Sequence, residues 1–166
     1  MIAQVVTSIT ENLGELVQVH ERLLGLTRDQ AQALAERRPH RVHELLQEIE
    51  IAMIDRTRAE HRRAALIAQA AQSAGVAEQD VTVELLARLA GIQLGSTLEQ
   101  AASRLKAVMA ELADVVSRNR ATLEYELGML DHMVRGITTR RDVQPSYGRT
   151  GAAVDVPRMK ILDAQV

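Results

Sequence analysis

The chain has 166 residues and a formal net charge of −2, and it contains no Cys, Trp or Phe and only two Tyr. A charge this close to zero does not indicate long-range attraction to nucleic acid or to an anionic membrane. Without cysteine the chain has no disulfide and no thiolate metal site. Its core must be built from Leu, Ile, Val, Ala and Met, which suits the narrow seams between packed helices.

Two kinds of membrane-directed segment are not found in the sequence. Residues 1–5 lack a basic region followed by an apolar run, so no signal peptide is expected. No stretch approaches about 18 consecutive apolar residues, so no membrane-spanning helix is expected. We therefore predict a cytoplasmic protein that does not insert into a membrane.

The first predicted helix covers residues 2–37. Its apolar and amide positions follow a seven-residue repeat, which is typical of a helix packed against another helix. The repeat consists of Ile2, Val5, Ile9, Asn12, Leu16, Val19, Leu23, Leu26, Gln30 and Ala33. Pro39 has no N–H to donate and suits the first turn of the next helix, and it disfavours helical geometry in the residue before it. A tight reversal at Pro39 would produce an antiparallel helix pair.

The second predicted helix covers residues 40–74 and ends at Gly75, a typical C-cap. An apolar stripe is found at each end of this helix. In the segment 55–63 between them, Ala59 is the only apolar residue. If the last helix lies antiparallel to the second, this polar segment falls opposite residues 108–115. The facing residues would then be poorly packed.

A short connecting helix is predicted over residues 83–90, with Thr82 or Asp80 as its N-cap and Gly91 as its end. The last helix is predicted over residues 97–138, and Ser96 and Glu99 offer a capping box at its start. At 1.5 Å per residue it is roughly 60 Å long, which is more than a compact domain of this size needs. The apolar face consists of Leu98, Ala101, Leu105, Val108, Leu112, Val115, Asn119, Leu123, Leu127, Leu130, Met133 and Ile137.

The predicted fold class is all-α. Residues 1–138 form an elongated antiparallel bundle of three long helices with a short connecting helix. Residues 142–151 are rich in turn-forming residues and show no periodicity, so we predict a flexible C-terminal tail over residues 139–166. Asn12 and Asn119 fall at seam positions of the helices, where a buried amide fixes the register.

Candidate chemistry is sparse. His40 and His43 could place two metal ligands on one helix face beside Glu44, but a site needs three or four ligands, so we interpret them as solvated residues. The basic run 56–63 is interleaved with carboxylates and has no aromatic neighbour, which favours a solvated, ion-paired face over nucleic-acid binding. No phosphate-binding loop, nucleophile–base arrangement or carboxylate pair is found. The sequence predicts no enzyme and no cofactor.

A binding surface is predicted instead on the last helix. This helix is longer than the second, so Leu130, Met133, Val134 and Ile137 would overhang the reversal at Pro39. Burying each of these side chains would contribute about 1.5–3 kcal/mol of stabilising free energy, which is lost when the side chain stays in water. Such an apolar stripe marks a partner site. The alternative is that the connecting helix or a second copy of the chain covers it.

The layout resembles the FlgN family of flagellar export chaperones over nearly the whole chain. Residues 119–123 (Asn-Arg-Ala-Thr-Leu), followed by Leu127, Leu130 and Val134, are similar to the last helix of that family. Residues 145–151 (Pro-Ser-Tyr-Gly-Arg-Thr-Gly) are similar to its Tyr-Gly tail motif. The chain departs from the family at Pro39, where a Gly-Asp type of break is common, and in the sequence after Gly151.

This resemblance implies a cytosolic, non-enzymatic chaperone for the hook-associated proteins of the hook–filament junction. It would bind their C-terminal helical segments and deliver them to the flagellar type III export apparatus, with Tyr147 docking on the cytoplasmic domain of the export gate. A homodimer of the unloaded chaperone is a further expectation. The predicted cargo-binding residues are Leu112, Val116, Asn119, Leu123, Leu127, Leu130 and Val134. The alternative function is a structural coiled-coil module that dimerises through the same stripe.

Overall fold

The computed structural model describes the backbone of residues 2–141 and the side chains of residues 2–137. The predicted tail beyond residue 141, with Tyr147, lies outside the described residues. The elements in chain order are α1 (Ile2–Ala35), α2 (Pro39–Ala74), a short 3₁₀ turn (Glu78–Asp80), α3 (Val83–Ala90) and α4 (Ile92–Arg141). Residues 2–141 contain no strand, and the predicted all-α fold is confirmed.

Helices α1 and α2 pack antiparallel through the seven-residue repeat of α1. Ile9, Leu16 and Leu23 are all buried on the inward face of α1. Two clusters of apolar side chains form along this seam. The first cluster includes Val6, Ile9, Leu13, Leu16, Ala59, Ala70, Leu86, Leu98 and Leu105, and the second includes Leu23, Leu26, Ala33, Leu45 and Ala52.

The reversal between α1 and α2 is a Schellman turn. The N–H of Arg38 donates to the carbonyl oxygen of Ala33 at 2.9 Å, and the N–H of Arg37 donates to that of Leu34 at 3.0 Å. Arg37 adopts the left-handed conformation, with φ of 54°. Because these residues form the turn, α1 ends at Ala35 rather than at Arg37. Pro39 occupies the first turn of α2, the position that its missing N–H favours.

The polar segment 55–63 of α2 packs on α1 through its one small residue. Ala59 is 1% exposed, and its carbonyl oxygen accepts a hydrogen bond of 3.1 Å from Nδ2 of Asn12. Arg62 forms an ion pair of 2.7 Å with Glu15 on α1. Helices α1 and α2 approach each other closely at Ala59, and exposed ion pairs lie on either side of this contact. The polar segment therefore fits into the helix pair. Asn12 thereby has the structural role expected from its seam position.

The start of α4 differs from the prediction. Thr82 caps α3 as expected, since its hydroxyl accepts from the N–H of Leu85 at 3.1 Å. However, α4 begins at Ile92, immediately after Gly91, and Ser96 lies inside the helix. The predicted capping box of Ser96 and Glu99 is therefore wrong. A Cβ on Gly95 would lie 2.7 Å from the carbonyl oxygen of Ala87, so only glycine lets this turn of α4 approach α3 so closely.

Helix α4 runs parallel to α1 and antiparallel to α2. Arg104 forms an ion pair of 2.7 Å with Glu21, and Glu111 pairs with Arg28. The described chain divides within α4. Residues 2–121 belong to one compact unit, and residues 122–141 belong to a second. Helix α4 continues to Arg141, past the predicted boundary of the bundle at residue 138.

Candidate functional site on helix α4

The predicted apolar face of α4 contains both buried and exposed side chains. Leu98 is 0% and Leu105 is 6% exposed, and both belong to the first core cluster. Further along the same face every residue from 122 to 137 is exposed. We call residues 123–137 the exposed stretch of α4. Its aliphatic side chains are exposed as follows: Leu123 by 40%, Leu127 by 64%, Leu130 by 56%, Val134 by 58% and Ile137 by 64%.

Two of the predicted cargo-binding residues lie in the packing of the bundle. Leu112 is half-buried against the second core cluster. Asn119 is 7% exposed, and its Nδ2 donates to the carbonyl oxygen of Thr27 at 2.9 Å and faces Oε1 of Gln30 at 3.4 Å. Val116 lies between these two positions in sequence and is 48% exposed. The exposed members of the predicted set are therefore Val116, Leu123, Leu127, Leu130 and Val134.

The connecting helix α3 packs within the first unit. Its buried side chain, Leu86, belongs to the first core cluster together with Leu98 and Leu105, near the beginning of α4.

Charged side chains flank the aliphatic residues of the exposed stretch. Three carboxylates, Glu124, Glu126 and Asp131, occur with a single guanidinium, Arg135, which pairs with Asp131 at 2.8 Å. Met129 and Met133 are each 45% exposed, and methionine adapts readily to partners of different shape. A helix with one aliphatic face and charged flanks is suited to packing against another amphipathic helix.

The histidines that the sequence singled out do not form a metal site with their neighbours. His40 and His43 are exposed, and the Glu44 carboxylate is held at 3.0 Å by Arg41. Among the residues whose side chains are described, no group of three or more His, Cys, Asp or Glu residues is placed to hold a metal ion.

A cavity of about 350 Å³ lies in the first unit, beside the region that the sequence predicted to be poorly packed, where the segment 55–63 of α2 faces residues 108–115 of α4. It lies between the helices, with Ile67 of α2 and Met109 of α4 among its apolar lining residues and with Arg63 and Lys106 as its cationic ones. The positions on α2 and α4 fit the apolar periodicity of both helices. The polar segment predicted poor packing here, whereas the volume of the cavity depends on how far the helices separate, which periodicity does not report.

Sequence analysis did not single out one buried histidine, His20. His20 is 2% exposed, and its Nδ1 lies 2.7 Å from the carbonyl oxygen of Leu16. It lies four residues after Leu16 on the inward face of α1. The repeat that predicted this face could therefore have placed His20 in the seam as well, where its hydrogen bond to the preceding turn satisfies one ring nitrogen.

These observations define a helical protein whose outstanding feature is an exposed aliphatic helix face suited to binding other proteins. The sequence profile described as FlgN protein matches residues 1–155. The chain belongs to the FlgN family, which is a family of flagellar export chaperones that bind flagellar substrate proteins and is not known as an enzyme family. No curated protein and no solved structure is significantly similar to the chain. None of the helices in the described part of the chain is apolar over a length that would cross a bilayer.

Proposed function

We propose that this protein is a cytoplasmic chaperone that binds the C-terminal helical segments of hook-associated proteins and delivers them to the flagellar type III export apparatus. The observation that carries the proposal is the exposed stretch of α4. There Leu123, Leu127 and Leu130 recur at steps of three or four residues and are 40–64% exposed. Such spacing presents one continuous stripe to a partner helix laid along it.

The energetic requirement matches the size of this surface. Ordering a disordered cargo segment costs about 2–5 kcal/mol. Burying the exposed half of a leucine or valine side chain contributes about 1 kcal/mol. Leu123, Leu127, Leu130 and Val134 together offset that ordering cost, and Val116 and Ile137 extend the same face at either end. The favourable net affinity then comes from the apolar surface that the cargo itself buries.

The proposed cargo-binding residues are the exposed ones. Leu112 and Asn119, which the sequence also suggested, hold α4 to the bundle, and we assign them a supporting role. Tyr147 lies outside the described residues, and its docking on the cytoplasmic domain of the export gate is proposed from the family alone.

The test is a binding titration of the full chain with a peptide that comprises the C-terminal helical segment of a hook-associated protein from the same organism. The double substitution Leu127→Ala with Val134→Ala should weaken binding by about tenfold or more, with an unchanged helical circular dichroism spectrum. The matched control is Ile51→Ala with Ile54→Ala on α2, where the side chains are 54% and 49% exposed. Unchanged affinity in the α4 variant, or an equal loss in the control, would contradict the proposal.

The second candidate function is a structural coiled-coil module that dimerises through the same stripe, favoured by the exposure of that stripe in a single chain. The two functions predict different complexes. A chaperone forms a stable complex with the cargo peptide, whereas a purely structural module associates only with itself. A homodimer of the unloaded chaperone is compatible with the first function if the cargo peptide converts it to a complex with cargo.

A further inference from the structure

A second aliphatic surface lies on the first unit, between α2 and α4. It consists of Leu46 and Met53 on α2 and of Met109 and Val116 on α4, which are 49%, 38%, 45% and 48% exposed. We call these four residues the α2–α4 groove. Leu112, one turn from both Met109 and Val116, packs against the second core cluster, where Ile49 and Ala52 of α2 lie. The two groups of exposed side chains therefore border the same seam.

The groove continues the cavity described above. Met109 lines the cavity, and Val116 follows it by seven residues on the same face of α4. Ile67 lines the cavity from α2, and Met53 precedes it by two such repeats. Because α2 and α4 run antiparallel, both series lead away from the cavity in the same direction. The result is one long channel whose aliphatic lining is interrupted on α2 by Glu60, the residue one repeat before Ile67.

The charge beside this channel is positive. Arg63 and Lys106 line the cavity, and Arg56 lies seven residues before Arg63 on α2. Two carboxylates lie on this face of α2: Glu60, which pairs with Arg63 at 2.8 Å, and Glu50, which follows Leu46 by four residues and precedes Met53 by three. Three cations and two carboxylates leave a net positive charge, which favours a ligand helix that carries carboxylates beside its apolar stripe.

The exposed stretch of α4 has this chemistry. Its aliphatic stripe is flanked by Glu126 on one edge and by Glu124 and Asp131 on the other, at about 100° of rotation per residue. Arg135 pairs with Asp131 on that second edge, and three carboxylates against one guanidinium leave the stretch net negative. A second copy of the chain thus carries a helix that complements the α2–α4 groove in apolar spacing and in charge. In a two-fold arrangement each copy supplies one groove and one helix, so both aliphatic surfaces are covered at once.

We propose that the unloaded protein is a two-fold dimer in which the exposed stretch of α4 of each copy lies in the α2–α4 groove of the other. Cargo then competes with the second copy for the exposed stretch, a consequence that rests on the function proposed above. In the dimer, the groove of the second copy keeps the aliphatic stripe of the exposed stretch out of water. A cargo helix then takes the place of that groove on the stripe.

Sedimentation equilibrium of the full chain tests the dimer. We expect self-association that weakens by about tenfold or more in Arg56→Glu with Lys106→Glu, and likewise in Glu126→Lys with Asp131→Lys. Mixing these two variants should restore association, because both groove–helix pairs of the mixed dimer are then of opposite charge: the reversed groove meets the reversed helix, and the natural groove meets the natural helix. Arg58→Glu, whose side chain is 74% exposed and pairs with Asp55 within α2, is the control and should leave association unchanged. A monomer at all concentrations, or a mixture no more associated than its components, would overturn the proposal.

The cargo titration separates this inference from the proposed function. If the protein binds cargo peptide but sediments as a monomer without it, the chaperone function stands and the dimer is wrong. If it forms the charge-dependent dimer but binds no cargo peptide, the dimer stands and the chaperone function is wrong. In the case where both are right, the Arg56→Glu with Lys106→Glu variant should bind cargo at least as tightly as the natural chain, since the competing copy has been removed.

Discussion

The side-chain amide of Asn119 on α4 donates a hydrogen bond of 2.9 Å to the main-chain carbonyl oxygen of Thr27 on α1. Both residues are buried, and the hydroxyl of Thr27 donates in turn to the carbonyl oxygen of Leu23 at 2.7 Å. If α4 shifted along α1 by one residue, the buried amide of Asn119 would lose this hydrogen bond and would not gain one to water in its place. The pair therefore fixes the register of α4 against α1 at the point where the buried part of α4 ends.

Asn119→Ala should destabilise the protein because it removes this hydrogen bond between the two helices. We expect the free energy of unfolding to fall by about 1–2 kcal/mol, and the melting temperature by about 2–4 °C for each kcal/mol. Thermal unfolding followed by circular dichroism measures both. Ser117→Ala, an exposed position on the same helix, should melt with the natural chain. Equal melting of the Asn119 variant and the natural chain would show that the bond contributes nothing.

Arg37→Gly should stabilise the protein. Arg37 has φ of 54°, a conformation that costs residues with a Cβ about 1–2 kcal/mol and glycine almost nothing. After the greater entropy of glycine in the unfolded chain is subtracted, we expect a gain of about 0.5–1 kcal/mol in a chemical denaturation experiment. Arg37→Ala keeps the unfavourable conformation and should leave stability nearly unchanged. Equal effects of Gly and Ala would mean that the side chain, and not the backbone, determines stability here.

Gly95→Ala should destabilise the contact between α3 and α4. The added Cβ would lie 2.7 Å from the carbonyl oxygen of Ala87, so one helix must move away from the other, at a cost of about 1–3 kcal/mol. Gly14→Ala is the matched control, because nothing lies within 4 Å of its Cβ position in the interior of α1. That change should instead raise stability by up to about 1 kcal/mol. Denaturant midpoints of the two variants should therefore shift in opposite directions.

The start of α4 shows why the fold was only partly predictable. Periodicity predicted the long helices, and Pro39 and Gly75 predicted where α2 begins and ends. Ser96 and Glu99 form a good local capping pattern, but such a pattern acts only where the chain enters the helix from a non-helical conformation. Gly91, with φ of 84°, ends α3 and lets α4 begin in the next residue. The fit of Gly95 against α3 is a tertiary contact that no local pattern contains.

The candidate site was predictable as a face but not as a boundary. Leu105 and Leu127 are the same residue type on the same face of α4, yet one is 6% and the other 64% exposed. Spacing assigns both to one stripe and is silent about which part has a partner within the chain. Asn119 could be read from its seam position as structural, and the structure supports that interpretation. The α2–α4 groove was missed because this surface depends on the separation of two helices.

Tyr147→Ala should leave the stability of the helical part unchanged and impair flagellar assembly. Tyr147 lies outside the described residues but within residues 1–155, over which the chain matches its family. In a segment rich in turn-forming residues we expect it to contact the export gate rather than a core. Thermal melts of the variant and the natural chain should coincide, while complementation of a deletion strain on motility agar should fail. Tyr125→Ala, 72% exposed on α4, tests whether any exposed tyrosine has this effect. A melting temperature lowered by several degrees would show that Tyr147 is a packing residue.

Leucines on one face of α4 should differ sharply in their contribution to stability. Leu98 is 0% exposed inside the first core cluster, so Leu98→Ala leaves a cavity and should cost about 2–5 kcal/mol. Leu127 is 64% exposed, so Leu127→Ala should change the free energy of unfolding by less than about 0.5 kcal/mol. Denaturation must be measured at a protein concentration at which the chain is monomeric, because a second copy would bury Leu127. Under that condition, a loss for Leu127→Ala as large as that for Leu98→Ala would place Leu127 in the protein's own core. The surface that binds cargo would then have to lie elsewhere on the molecule.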